Sequence, residues 1–362
     1  MASRTAGMLL LAAALLLAAG SSSLTAVEAA AARLPPPAKG LSYEYYKKSC
    51  PQAESIVFGF LQNAIRKDIG LAAALLRLHF HDCFVQGCDG SILLDSTSEK
   101  SEKEAPPNVT LRPSAFKAID DLRDLLEKEC GRRVVSCADI VTLAARDSVH
   151  LAGGPWYDVP LGRHDGLTFA SQAAVRDALP SPDSNVTVLL KALAKIKLDA
   201  NDLVALSGAH TVGIAHCSSF EERLFPEQDP TMNKWFAGHL KLTCPVLNTI
   251  NTTVNDIRTP DTFDNKYYVD LQNQQGLFTT DQGLYTDART KPLVTKFAVD
   301  ESAFFEQFKY SMIKMGQIEV LTGVQGQIRK HCSVPNTAAG NGDEMPWSVV
   351  ETVAEAAESL VL

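Results

Sequence analysis

The 362-residue chain has no long basic run, and its 34 Lys and Arg stand against 42 Asp and Glu for a net charge of −8. Nothing in that balance would hold a phosphate backbone, so nucleic acid is excluded as a partner. A membrane-length apolar run is also missing. The apolar stretch MLLLAAALLLAA at 8–19 is twelve residues long, whereas a helical span takes about twenty, so no membrane association of the mature chain is expected. No regular succession of strand and helix patterns appears, few segments alternate like strands, and there are no internal repeats. A mixed α/β domain therefore fits poorly. The spacing of Cys and His matches no common structural zinc site.

Residues 1–32 read as a secretory signal, with Arg4 as the positive segment, the apolar core, and then an Ala-rich stretch. About 330 residues remain, near the size at which one core divides into lobes, so two lobes are expected. All eight cysteines, at 50, 83, 88, 130, 137, 217, 244 and 332, follow the signal. An even set in a secreted chain implies disulfides, and sequence alone leaves their pairing open. Asn108, Asn185 and Asn251 each begin an Asn-X-Thr sequon.

Apolar spacing is mostly helical. In SAFKAIDDLRDLLEKEC, apolar residues recur every three or four positions, with Ser114 as the expected N-cap and Gly131 just past the end. Residues 51–67, 71–84, 136–150, 186–196, 200–207, 233–242, 264–275 and 301–315 read the same way. Long irregular stretches at 95–113 and 245–263 are of the kind that bind something.

LLRLHFHDCFVQGCDGS at 75–91 carries the chemistry. In a helix over 71–84, Arg77 and His81 stand one turn apart on one face. Splitting hydrogen peroxide needs such a pair: a neutral imidazole to move a proton between the two oxygens, and a guanidinium to stabilise the charge on the leaving one. Neither can then be an axial ligand on the other side of an iron. A second histidine is required, and His210, in DLVALSGAHT at 202–211, is the candidate.

With VSCADIVTLAARDSV at 135–149, GGPWYDVPLGRHDG at 153–166 and TPDTFDNKYY at 259–268, the chain from Leu41 to Cys332 resembles the class III secretory plant peroxidases, the horseradish-peroxidase family. The resemblance implies a mainly α, two-lobed haem peroxidase fold with minimal β, haem b lying between a distal and a proximal lobe. It implies reduction of hydrogen peroxide with one-electron oxidation of small phenolic donors, by a monomer. His81 matches the distal acid/base and Arg77 the charge stabiliser. Phe80 bounds the space over the iron, Asn108 fixes the His81 tautomer, and Glu102 joins that network. His210 matches the axial ligand, Asp281 its carboxylate partner, and Pro180 the contact for aromatic donors. Two Ca²⁺ ions are implied. Asp82, Val85, Gly87, Asp89 and Ser91 form the distal set; Thr211, Asp256, Thr259, Thr262 and Asp264 form the proximal one. The implied disulfides are Cys50–Cys130, Cys83–Cys88, Cys137–Cys332 and Cys217–Cys244.

The sequence departs from the best-known members at the donor site, where phenylalanines give way to Pro106, Asp183, Ser184 and Ser219. Asn185 and Asn251 are the expected glycan sites, because the family places the residue matching Asn108 inside the pocket. The domain is expected over 33–332. Residues 333–362 are either a fraying tail or a sorting extension, so the destination is the cell wall or the vacuole. Two rivals remain: a peroxidase fold that has become structural or stores haem, with little turnover, and a secreted zinc hydrolase using His79, His81 and Asp82.

Overall fold

The computed structural model describes residues 34–97 and 99–336. The signal reading at 1–32 and the extension from 337 onward lie outside the described residues. From Pro36 the described chain belongs to one compact unit. It holds twelve α-helices: α1 Ala53–Lys67, α2 Gly70–Val85, α3 Pro113–Cys130, α4 Cys137–Leu151, α5 Gln172–Ala178, α6 Val186–Lys195, α7 Ala200–Ser207, α8 Lys234–Thr243, α9 Lys266–Gln272, α10 Thr279–Thr286, α11 Lys291–Val299 and α12 Glu301–Met315. Its one sheet pairs β1 Ile214–His216 antiparallel with β2 Thr252–Val254. The mainly helical architecture is as expected.

The closest helix packing falls into two groups. In the first, α2, α3 and α1 pack on α4; in the second, α7 packs on α12 and α9 on α11. This grouping follows from composition. Every residue from Cys137 to Val149 of α4 is buried, so that helix is covered on every side, as a helix without a polar face must be, whereas α2 is mostly buried but leaves Ala73, Arg77 and Phe80 half-exposed along one face. One apolar core runs through both groups, and a smaller core around Phe220, Phe236 and Leu240 lies beside the sheet.

Cys50 pairs with Cys130, Cys83 with Cys88, Cys137 with Cys332 and Cys217 with Cys244, the same four pairs that the resemblance implies. Three lie in the distal group, and Cys137–Cys332 closes 195 residues of chain. Two carboxylates of the long motifs are scaffold. Asp139 accepts from Tyr46 Oη at 2.7 Å, Gly162 N at 2.8 Å and Arg163 Nη1 at 2.8 Å. Asp165 accepts from Ala138 N at 2.9 Å and Arg329 N at 2.8 Å. These buried carboxylates are satisfied and join α4 to the segment after it, leaving none of their charge for chemistry.

Local chemistry corrects the sequence reading at several helix ends. Ser114 does not cap α3: Pro113 occupies the first helical position, where its missing N–H costs nothing, and Arg112 takes the cap position. Helix α9 stops at Gln272 rather than 275, because Gln274 adopts a positive φ of 59°. The short helices α5, α10 and α11 were not expected.

Candidate active site

Helix α2 brings Arg77, Phe80 and His81 together. The Phe80 ring stands edge-on to His81 with centroids 5.1 Å apart and packs against Phe84 at 4.5 Å. The Pro106-Pro107-Asn108 segment addresses the two polar side chains at once. Asn108 Oδ1 lies 2.6 Å from His81 Nδ1, and Arg77 Nη2 donates to the Pro107 carbonyl at 3.0 Å. Two successive prolines stiffen this segment.

A third contact fixes the His81 tautomer. Asn108 Nδ2 donates to the Glu102 carbonyl at 2.8 Å, and a carbonyl can only accept. The amide oxygen must therefore face His81, which donates from Nδ1 and keeps a lone pair on Nε2. Burial, followed by the positive charge of Arg77, pushes the imidazole down to about 3, with the Asn108 bond pulling the other way. Burial also draws Arg77 down to about 10, which leaves it charged at neutral pH. Asn108 is only 2% exposed, which leaves no room for a glycan. The Glu102 side chain is buried too, accepting from Ala170 N at 2.6 Å, and burial pushes it up to about 7.

His210 sits on a 3-10 turn, Gly208–Thr211, that continues α7. Asp199 caps that helix by accepting from Asn201 N at 2.8 Å and Asp202 N at 3.1 Å. Gly208 is required here, because a Cβ would run into the Tyr268 hydroxyl and the Phe304 ring. His210 Nδ1 lies 2.8 Å from Asp281 Oδ1 on α10, and the Phe278 ring stands 5.3 Å away. The Asp281 carboxylate takes the N–H, so Nε2 is the free atom. The side chain is 39% exposed although Gly208 and Thr211 beside it are buried. An open imidazole nitrogen in a buried frame fits an axial ligand to haem iron.

Both oxygen clusters fit a hard cation. Thr211 Oγ1 lies 3.1 Å from Asp256 Oδ2, 3.2 Å from Asp264 Oδ1 and 3.5 Å from the Thr262 carbonyl. One hydroxyl proton cannot serve three oxygens, and the Thr259 hydroxyl is buried without a partner. The β1–β2 pairing makes the cluster by turning Asp256 back alongside Thr211, with Asn255 N donating to the Gly213 carbonyl at 3.0 Å. On the distal side Asp82 is fully buried. Burial and then the Asp89 charge hold its carboxyl well above the usual range, and Ser91 Oγ has no partner. Gly87, at a φ of +110°, turns the loop where a Cβ would meet the Ile318 and Glu319 carbonyls. Among the described residues no three His, Cys, Asp or Glu side chains converge on one point, which removes the basis for zinc at His79, His81 and Asp82. His79 Nδ1 instead lies 3.5 Å from Cys83 Sγ, a cysteine already in a disulfide.

A family model described as "Peroxidase" matches residues 57–300. The chain belongs to the peroxidase family. It is 60% identical over 324 residues to cationic peroxidase SPC4 of Sorghum bicolor, covering 89% of each chain. It is 58% identical to peroxidase 12 of Arabidopsis thaliana, over 83% of this chain and 84% of the relative, and 45% identical to peroxidase 15 of Ipomoea batatas, over 82% and 93%. This peroxidase uses hydrogen peroxide to oxidise donor molecules, and the family implies haem and calcium.

Pro180 is half-buried just after α5, and the Pro182 carbonyl accepts from Thr280 N at 3.0 Å, tying this segment to the helix that carries Asp281. Pro106 and Asp183 are exposed, while Ser184 and Ser219 are half-buried. Asn185 and Asn251 are exposed. Asn185 Oδ1 caps α6 by accepting from Val188 N at 3.0 Å, and Asn251 Nδ2 donates to the Thr243 carbonyl at 2.7 Å. Three neighbours of the histidines escaped the sequence reading: the Pro107 carbonyl, the Phe278 ring and the Tyr267 hydroxyl. Only Tyr267 lay inside a motif singled out there, and nothing about its spacing marked it.

Proposed function

We propose that the protein is a haem-b peroxidase that oxidises small phenols one electron at a time, with His81 and Arg77 serving the peroxide and His210 holding the iron. When bound, haem supplies the redox chemistry, accepting two oxidising equivalents from peroxide and passing them singly to donors. His81 Nε2 takes the proton from the nearer peroxide oxygen and delivers it to the farther one, which departs as water. The Arg77 guanidinium offsets the negative charge that develops on the departing oxygen. Asn108 keeps the basic nitrogen turned toward the peroxide, Phe80 bounds the space, and Asp281 holds the His210 N–H. Over a full cycle one hydrogen peroxide becomes two waters, and two phenols each lose one electron and one proton. Pro180 contacts the donors. Calcium at the distal set (Asp82, Val85, Gly87, Asp89, Ser91) and the proximal set (Thr211, Asp256, Thr259, Thr262, Asp264) holds the loops next to the two histidines.

The observation that carries this reading is the His81–Asn108–Glu102 chain, which leaves a neutral, correctly oriented base one helical turn from a half-buried guanidinium. We further propose a monomer that enters the secretory pathway, carries glycans at Asn185 and Asn251, and ends in the cell wall, or in the vacuole if residues 333–362 are a sorting extension. No helix among the described residues is long and apolar enough to cross a membrane. An absorption spectrum of the purified protein, before and after one equivalent of hydrogen peroxide, tests the proposal. A Soret band that changes with peroxide and returns on adding a phenol is expected. A preparation supplied with haem that shows no Soret band overturns it.

A further inference from the structure

Asp281 accepts two side-chain hydrogen bonds on one oxygen. Oδ1 lies 2.8 Å from His210 Nδ1 and 2.8 Å from Tyr267 Oη, while Oδ2 accepts from the Phe278 N–H at 3.0 Å. We propose that Tyr267 is a positioning residue that sets how strongly Asp281 draws on the His210 N–H, and thereby how electron-donating His210 is at Nε2. The inference rests on the reading of His210 as the axial ligand.

A carboxylate oxygen divides its basicity among the donors it faces, and the partner of a ligating histidine tunes the metal through the imidazole. With the phenol in place, the Nδ1 proton stays closer to histidine; without it, Oδ1 pulls harder and the ring gains imidazolate character. Among the described residues the Tyr267 hydroxyl has no hydrogen-bond partner besides Asp281. It is 2% exposed, and a buried phenol needs an acceptor. Burial and then the Asp281 charge hold the hydroxyl well above its ordinary range, so it remains a donor. The ring stands edge-on to the His210 ring, 6.0 Å away at 81°. The next residue provides the contrast. Tyr268 is equally buried, yet its hydroxyl donates to the Val204 carbonyl at 2.9 Å and ties α9 to α7. Two adjacent phenols on one helix thus have separate duties.

The test uses the haem-loaded enzyme and two readouts other than turnover: the ferric/ferrous midpoint potential, and the iron–histidine stretching band by resonance Raman. Tyr267→Phe is expected to move the potential negative and the band to higher frequency. Tyr268→Phe is expected to move neither, and Tyr267→Phe added to Asp281→Asn is expected to have no further effect, because the shared oxygen is then no longer a carboxylate. If the Phe variant does not take up haem, Tyr267→Met fills the space without a donor and is measured instead. A folded, haem-loaded variant with potential and band at the unmodified values overturns the inference. Absence of an iron–histidine band from the unmodified protein overturns the His210 assignment itself, and is distinguishable because it precedes any substitution.

Discussion

At His81 the Nδ1 partner is a neutral carboxamide 2.6 Å away; at His210 it is a carboxylate 2.8 Å away. The first site adds a guanidinium one turn off and buries the ring, and both disfavour a proton on the imidazole. The second adds a carboxylate that strengthens the imidazole as an electron donor and leaves the ring half-open. On the proposed function one side chain is prepared as a proton carrier in one place and as a metal ligand in another, and the difference lies in what faces the nitrogen away from the chemistry. The scaffolds differ as well. The group packed on α4 is closed by three disulfides, whereas the 71 residues that separate His210 from Asp281 hold one, Cys217–Cys244.

The hardest blow to this contrast is removal of the carrier. His81→Ala is expected to slow the reaction with peroxide by about 10²–10⁴-fold, read by stopped-flow absorbance, and an unchanged rate would sink its assignment. A gentler break gives the distal ring the proximal kind of partner. In the unmodified enzyme the neutral form is the working base, so the peroxide rate should be flat with falling pH until it drops through about 3. Asn108→Asp places a negative charge on Nδ1 and should raise that midpoint by about 1–3 units. A pH profile identical to the unmodified one would show that the charge of the group facing Nδ1 does not set the His81 midpoint. The smallest expected effect is on the loops. Chelating calcium should lower turnover without abolishing it, because Asp82 and Thr211 directly follow the two histidines. Full activity in a sample shown by metal analysis to be calcium-free would refute the coupling.

How much of this was legible in the chain depends on distance. Arg77 and His81 are four residues apart, so helical geometry alone placed them together. The mainly helical fold was legible because long buried helices such as α4 repeat their pattern over several turns. Asp281 was a different case: read alone it is a turn residue, and only the resemblance marked it, since its meaning comes from a partner far away in sequence. In the fold it sits in the first turn of α10, a helix too short to announce itself. Tyr267 gave no signal whatever, because a Tyr-Tyr pair on a helix does not reveal which hydroxyl meets a carboxylate. Ser114 misled because a proline beside it took the first helical position.

The cap on α6 decides which substitution is informative at the proposed glycan site, Asn185. Asn185 holds the helix end with Oδ1, while a sugar would be joined through Nδ2, so the two uses do not compete, and a host that adds no sugar would leave the cap intact. The customary Asn-to-Gln exchange would remove cap and sugar together, at about 0.5–2 kcal/mol for the lost cap. Asn185→Asp deletes only the sugar, and is the substitution from which the glycan's own contribution can be read.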